Sequence, residues 1–273
     1  MNHGTRLPGL ALAALFVSGI VPAAAQTFKD QLPPEVRVQR SSGDSVQPVF
    51  DGWQRFPDGT ISMWFGYYNR NLQEEVDVPI GPDNSFNAGG ADRGQPTHFY
   101  LRRKQYVFKV DVPKDWGPDK KLIWTLNVHG ETCTAIGWLQ PEWEVDEGVR
   151  QMNAGGAGLA PPEGNTAPKI TGGSPDQTAQ VGKPLKLTAS AIDDGIPKPR
   201  GGRGARGGLS FHWILYRGPG PVAFSPPETT PVYGQPVETN TEVTFTVPGV
   251  YWLQAVASDG LLETPHTVKV TVK

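Results

Sequence analysis

Asn69, Asn71, Asp92, Arg93 and His98 fall within one stretch, Phe65 to Phe99, and are the residues of this chain best suited to chemistry. Amide, carboxylate, guanidinium and imidazole groups together offer donors, acceptors, a charge pair and a proton carrier. Arg102, Arg103 and Lys104 add a basic patch just beyond. Connections between elements usually run to about 4–6 residues. A segment this long therefore forms a small strand of its own or a shaped functional loop. Val76, Val78 and Ile80 alternate, which predicts a short strand between two elaborate turns. Asp92 is expected to bridge the adjacent Arg93 and so pin the loop. A ligand of this region would be expected to touch the stretch.

A second group is Asp193, Asp194 and Asp259. Carboxylates supported by backbone carbonyls are the ligands calcium prefers. The alternative is that these side chains accept backbone N–H groups and shape turns. Trp116, in an expected loop, and Trp143, in an acidic run, are candidates for exposed rings on which a sugar would stack. Trp53, Trp64, Trp124, Trp138 and Trp252 fall in strand-like runs and are expected in the core. No other cofactor is expected. His98, His129, His212 and His266 stand apart, without the short spacings of a metal site. H-E-x-x-H, G-x-S-x-G and the P-loop are all missing. No catalytic residue is assigned, and a hydrolase would need a site assembled from distant residues.

Composition narrows the classes. Acidic residues number 27 and basic ones 25, so nothing marks a nucleic-acid binder. The insert Lys198 to Gly208 carries four cations and no acid, and lacks aromatic residues for base stacking; it is expected to be a surface loop. The single cysteine, Cys133, excludes an intrachain disulfide. Arg6, the apolar run Leu10 to Val21 and Pro22-Ala23-Ala24-Ala25 predict a signal peptide, residues 1–25, cleaved before Gln26. The run is shorter than the ~20 residues of a membrane span. Export to the periplasm or beyond is expected, without a membrane span.

The 33 glycines and 27 prolines separate short runs of period-2 alternation. That pattern predicts an all-β chain of two tandem immunoglobulin-like sandwiches joined by a Gly/Pro-rich linker. Residues 26–45 are an extended lead-in and residues 46–150 the first sandwich, with about seven strands. Residues 151–165 are the linker and residues 166–273 the second sandwich. Leu122, Trp124, Leu126 and Val128 give one clear strand, and Val243, Phe245 and Val247 another. Trp213 is expected between the second pair of sheets.

In the second half, Ala191-Ile192-Asp193-Asp194-Gly195, the Trp213 strand, Pro248-Gly249-Val250-Tyr251 and Ala257-Ser258-Asp259-Gly260 follow in order. This order resembles the PKD-type and related cadherin-like immunoglobulin modules of bacterial extracellular proteins, over about residues 165–273. The resemblance implies a β-sandwich in which such aspartates are often structural; the insert at Ile196 to Gly208 departs from it. The first half is similar to segments of uncharacterised secreted bacterial proteins, which implies no activity. The expected function is that of an exported, non-catalytic binding, adhesion-like or structural module. The expected partner is a protein or polysaccharide at the cell surface or in the periplasm. The alternative is a carbohydrate-recognition accessory protein.

Overall fold

The computed structural model describes residue 1 and residues 40–154, 161–198 and 207–273. The expected signal peptide, the lead-in up to residue 39, linker residues 155–160 and insert residues 199–206 lie outside the described residues. Gln39–Lys273 form one compact unit.

The first sandwich contains β1 (Val46–Arg55), β2 (Ile61–Asn69), β3 (Val76–Asp77), β4 (Asn84–Phe86), β5 (His98–Phe99), β6 (Arg102–Val112), β7 (Leu122–Val128) and β8 (Glu131–Gly137). One sheet runs β1-β2-β6 and the other β4-β7-β8, with β3 and β5 paired separately. The hairpin β1–β2 turns on Asp58-Gly59: the Asp58 carboxylate accepts the Thr60 N–H at 2.8 Å, and Gly59 takes φ +81°. Apolar positions of β2 and β7 alternate inward, as their period demands. Their side chains form one aromatic core: Trp124 meets Phe108 edge-on at 5.0 Å and stacks on Phe86 at 6.1 Å. Rings of this size stabilise by roughly 1.5–3 kcal/mol each when fully buried. The Trp124 indole N–H needs a partner there, and the Asn84 side-chain oxygen accepts it at 2.9 Å.

One device in this sheet has no signal in the hydrophobic pattern. The registers of β1–β2 and β2–β6 both slip at the same level, at Phe50/Gly52 and at Phe65/Tyr67. Asp51 sits in the slip, buried, where it accepts the Tyr106 N–H at 2.8 Å and pairs with Arg103. Burial pushes its carboxyl up, against the charge of Arg103 and the Tyr106 N–H. Gly66 lies in this knot because a Cβ there would stand 2.2 Å from the Lys104 carbonyl oxygen.

After β8 comes a 3₁₀ turn at Pro141–Trp143, then α1 (Glu147–Ala154). This helix begins four residues before the expected linker. Its Arg150 lies 5.2 Å from the Trp64 ring on the outer face of β2.

The second sandwich contains β9 (Lys169–Gly173), β10 (Gln177–Ala179), β11 (Leu185–Ile192), β12 (Ser210–Arg217), β13 (Val222–Ser225), β14 (Val237–Phe245), β15 (Gly249–Ser258) and β16 (Glu263–Val272). Its sheets run β10-β16-β15-β12 and β13-β14-β11-β9. Val237, Thr239, Thr241, Val243 and Phe245 of β14 all point inward. The two buried hydroxyls are satisfied: Thr239 accepts the Trp213 indole N–H at 3.0 Å, and Thr241 donates to the Pro226 carbonyl at 2.8 Å. Trp213 lies between the sheets as expected. Two sandwiches with separate cores, antiparallel except for the parallel pair β10–β16, make the chain all-β and immunoglobulin-like.

Candidate functional site

The polar stretch of the first sandwich meets the free edge of the second. β12 is an edge strand, and edges leave backbone groups unpaired. Its first half is covered from within its own sandwich: the Trp213 N–H donates to the Pro227 carbonyl at 2.8 Å, and the Thr229 N–H to that of Phe211 at 2.9 Å. Its second half is covered by the first sandwich. The Thr97 N–H donates to the Tyr216 carbonyl at 3.2 Å, the Leu215 N–H to the Tyr100 hydroxyl at 2.8 Å, and the Gly218 N–H to the Thr97 hydroxyl at 3.1 Å.

Arg217 closes this seam. The β12–β15 register slips between Leu215 and Arg217, so Tyr216 and Arg217 are both turned toward the first sandwich. The Tyr216 hydroxyl donates to the Gly94 carbonyl at 2.6 Å. Arg217 donates from Nε to the Gln95 carbonyl at 2.7 Å and from both terminal nitrogens to Asp92, at 2.8 and 3.0 Å. Its guanidinium also lies 4.5 Å from the Trp252 ring. The Arg217 fork holds the Asp92 carboxyl below the usual range.

The loop presenting Asp92 is fixed from behind. Arg93 donates to the Ala88 and Asp111 carbonyls at 2.8 and 2.9 Å, so it braces the loop and leaves Asp92 to Arg217. The expected Asp92–Arg93 bridge is thus replaced by a longer-range one, because two backbone carbonyls satisfy the guanidinium locally. Gln95, fully buried, accepts the Arg93 N–H at 2.8 Å. Asn84 donates to the Val78 and Pro96 carbonyls at 3.0 and 2.9 Å, tying the loop to the aromatic core.

Asn69 and Asn71 are buried and point into the protein. Asn69 donates to the Glu74 and Phe99 carbonyls at 2.9 and 3.0 Å, and its oxygen accepts the Asn71 N–H at 3.0 Å. Asn71 exchanges two hydrogen bonds with the Asp44 backbone, at 2.7 and 3.0 Å. The pair ends β2 and anchors residue 44, and offers no atom to a ligand. His98 is buried beneath the seam. Its Nδ1 lies 2.7 Å from Asp77 Oδ1 and its Nε2 3.1 Å from Glu75 Oε2. Burial lowers the imidazole value, but the Asp77 and Glu75 contacts outweigh it and the net shift is upward.

The tryptophan pair divides. Trp116 is only 7% exposed: its indole N–H donates to the Lys120 carbonyl at 2.9 Å, and the Lys120 ammonium covers its ring at 4.1 Å. The expectation of an exposed ring fails there, because the loop folds back over it. Trp143 is 45% exposed, with one face against Phe50 at 5.9 Å.

The acidic loop residues lie at one end of the second sandwich. Asp194 accepts the Thr166 N–H and hydroxyl at 2.7 and 2.6 Å and the Ile196 N–H at 2.8 Å. Asp193 accepts the Gly195 N–H at 2.9 Å, and Asp259 accepts those of Leu261 and Leu262 at 2.6 and 2.7 Å. Burial raises the Asp193 carboxyl, and the charges of Asp194 and Asp259 add to the rise. One oxygen of Asp193, one of Asp259 and both amide atoms of Asn165 are buried without a partner.

Sequence reasoning missed Gln95, Thr97, Tyr100, Tyr216, Arg217 and Asn165. One signal was readable: Arg217 closes the run Phe211-His212-Trp213-Ile214-Leu215-Tyr216, where a charge ends an apolar strand.

No protein-family model matches the chain, and no curated protein matches its sequence. Among solved structures, the N-terminal Ig1-2 module of the Drosophila receptor protein tyrosine phosphatase DLAR is similar at 12% identity, with 84% of this chain and 100% of that chain covered and a TM-score of 0.28. The D00-D0 domain of intimin gives 10% identity, 84% and 100% coverage and a TM-score of 0.28. Domains 4 and 5 of the S-layer protein SbsC give 11%, 84% and 98%, and 0.23. At such values the immunoglobulin-like description rests on the sheets themselves, and nothing is carried over from these proteins. No helix among the described residues is long and apolar enough to cross a membrane.

Proposed function

We propose that the chain is an exported, non-catalytic structural module of the binding or adhesion-like kind, in which two immunoglobulin-like sandwiches act as one rigid body. The observation that supports this is the seam. Asp92, a prominent polar candidate of the first sandwich, is engaged in holding β12 together with Gln95 and Thr97, and Arg93, another candidate, braces the loop that presents it. A loop so engaged is a joint, and a joint fixed by a bidentate ion pair suits a spacer that presents its surfaces at a set angle. Export follows from the signal-peptide pattern of residues 1–25. The C-terminal sandwich is read as PKD-type from the order of its turn motifs.

The test is expression of the full chain in a Gram-negative host, followed by fractionation and N-terminal sequencing. A mature start at Gln26 outside the cytoplasm is expected; an uncleaved cytoplasmic chain overturns export. Sedimentation with insoluble polysaccharides separates the carbohydrate alternative. No depletion is expected, and depletion abolished by Trp143→Ala would move the reading to glycan recognition.

A calcium site has its own observation. Asp259 is 0% exposed and one of its oxygens is unpartnered, as are atoms of Asp193 and Asn165. A buried, unpaired carboxylate oxygen is costly unless a proton or cation meets it. Carboxylate and amide oxygens are the ligand types calcium takes. Among the described residues no three His, Cys, Asp or Glu side chains group as a metal site, so the amide of Asn165 would have to contribute. Asp194 remains with Thr166. Thermal melts with calcium and with chelator decide this: a calcium-dependent rise lost in Asp259→Asn supports the site, and unchanged melting overturns it.

A further inference from the structure

The joint contains a titrating group where a purely mechanical seam needs none. His98 lies on β5, between Thr97, whose N–H and hydroxyl both bond across to β12, and Phe99, followed by Tyr100, whose hydroxyl accepts the Leu215 N–H. The His98 ring stands edge-on to Tyr100 at 4.5 Å. Both ring nitrogens face carboxylates, Asp77 on β3 and Glu75 just before it. Only the doubly protonated imidazolium can donate to both. A neutral imidazole keeps one N–H and turns a lone pair toward the other carboxylate.

We propose that the Glu75–His98–Asp77 bridge is a proton-loaded clasp: it holds β5 against the seam while His98 carries its proton and loosens the joint when the proton leaves. β5 pairs with β3 at Val76↔Phe99 and Asp77↔His98, and one further bond, the Val78 N–H to the Thr97 carbonyl at 2.8 Å, continues the ladder. Phe99 is held besides by the core and by the Asn69 side chain, and the ionic bridge adds the hold on the His98 side of this short ladder. The other titratable groups around the ring are phenols. Tyr100 touches it, Tyr67 of β2 lies behind near Glu75 and Tyr100, and Tyr251 of β15 senses Asp77. Burial raises all three phenols above their ordinary value, so none of them titrates near neutral pH. His98 is therefore the group that answers in that range. Its value in the closed joint is raised above 6.5. The stabilisation is fully present below that ordinary value and is lost as pH rises through the raised one.

Amide hydrogen exchange tests this on the full chain. The probes are the Thr97, Leu215 and Gly218 amides, with the Trp124 and Leu126 amides of the first core as references. Between pH 6.0 and 8.5, seam protection relative to the core is expected to fall by up to tenfold for each unit by which the closed-state His98 value exceeds the open-state one. His98→Gln, which donates without charge, is expected to show seam protection that is low and flat with pH. Should that variant fail to fold, Glu75→Gln removes the more exposed carboxylate and is expected to lower the pH at which protection falls. A flat profile in the parent chain, or an unchanged fall in the variants, overturns the proposal.

Discussion

Replacing Arg217 by Ala tests the joint most directly. The side chain is 9% exposed and makes three kinds of contact with different weights. The bond to the Gln95 carbonyl is buried and charge-assisted, and such bonds contribute roughly 1.5–3 kcal/mol. The Asp92 side chain is 57% exposed, so the fork to it is discounted to at most about 1 kcal/mol. The Trp252 contact adds roughly 0.5–1 kcal/mol. The loss is therefore about 3 kcal/mol, or a factor of roughly 100 in the open-to-closed ratio of the joint. Spin labels on Asp119 and Lys186, exposed positions of the two sandwiches, would report this as a distance distribution once Cys133 is replaced by Ser. The parent should give one narrow distance and Arg217→Ala a broad one. Arg217→Lys should fall between them, since an ammonium keeps the charge and loses the planar fork. A narrow distance in Arg217→Ala, with both sandwiches folded, would refute the claim that this residue holds the seam.

Other substitutions separate the joint from the folds it joins. Gly66→Ala would place a Cβ 2.2 Å from the Lys104 carbonyl oxygen and 2.5 Å from Asp51 Oδ2, and should cost about 3 kcal/mol in chemical denaturation of the first sandwich. Asn84→Ala strands the Trp124 indole N–H and the Val78 and Pro96 carbonyls, for a loss of about 3 kcal/mol or more by the same measurement. In acid the Asp92 contribution should persist at pH 4 and fade below it. Its folded value is depressed, so the stabilisation is present above the ordinary 3.8 and is lost as pH falls through the lower one; the same spin-label pair would follow it.

The strands were legible because their physics is local. Leu122 to Val128 alternates without interruption, and the structure makes it β7 with the same bounds. The stretch from Val76 to Phe99 was legible in part: the expected strand across Val76, Val78 and Ile80 shortens to β3, and β4 arises within what was expected to be a turn. Its purpose was not legible. Asp92 and Arg217 lie 125 residues apart, and no period or motif connects them. Asp92 beside Arg93 suggested a neighbour pair, yet side-chain geometry favoured two nearby carbonyls for Arg93. Trp116 misled for a related reason: its loop supplies its own cover, Lys120, only four residues on. Burial of loop aromatics depends on how the loop folds back, which composition does not encode.

The seam also explains why the second sandwich ends its sheet on β12. An edge strand rich in apolar residues, Phe211 to Tyr216, invites pairing with another chain. Sandwiches blunt such edges with charges, bulges or covers, and β12 has all three: Arg217 at its end, the slip beside it, and a cover on each half. The cover on the first half belongs to the second sandwich itself, through Pro227 to Val232. The cover on the other half comes from Thr97 and Tyr100 of the first sandwich. Separated from its neighbour, the second sandwich would therefore expose the Leu215 and Gly218 N–H groups and the Tyr216 carbonyl along an apolar edge. The stretch that looked most like a binding site binds another part of the same chain, and the specificity of its polar groups follows from the backbone positions it must meet.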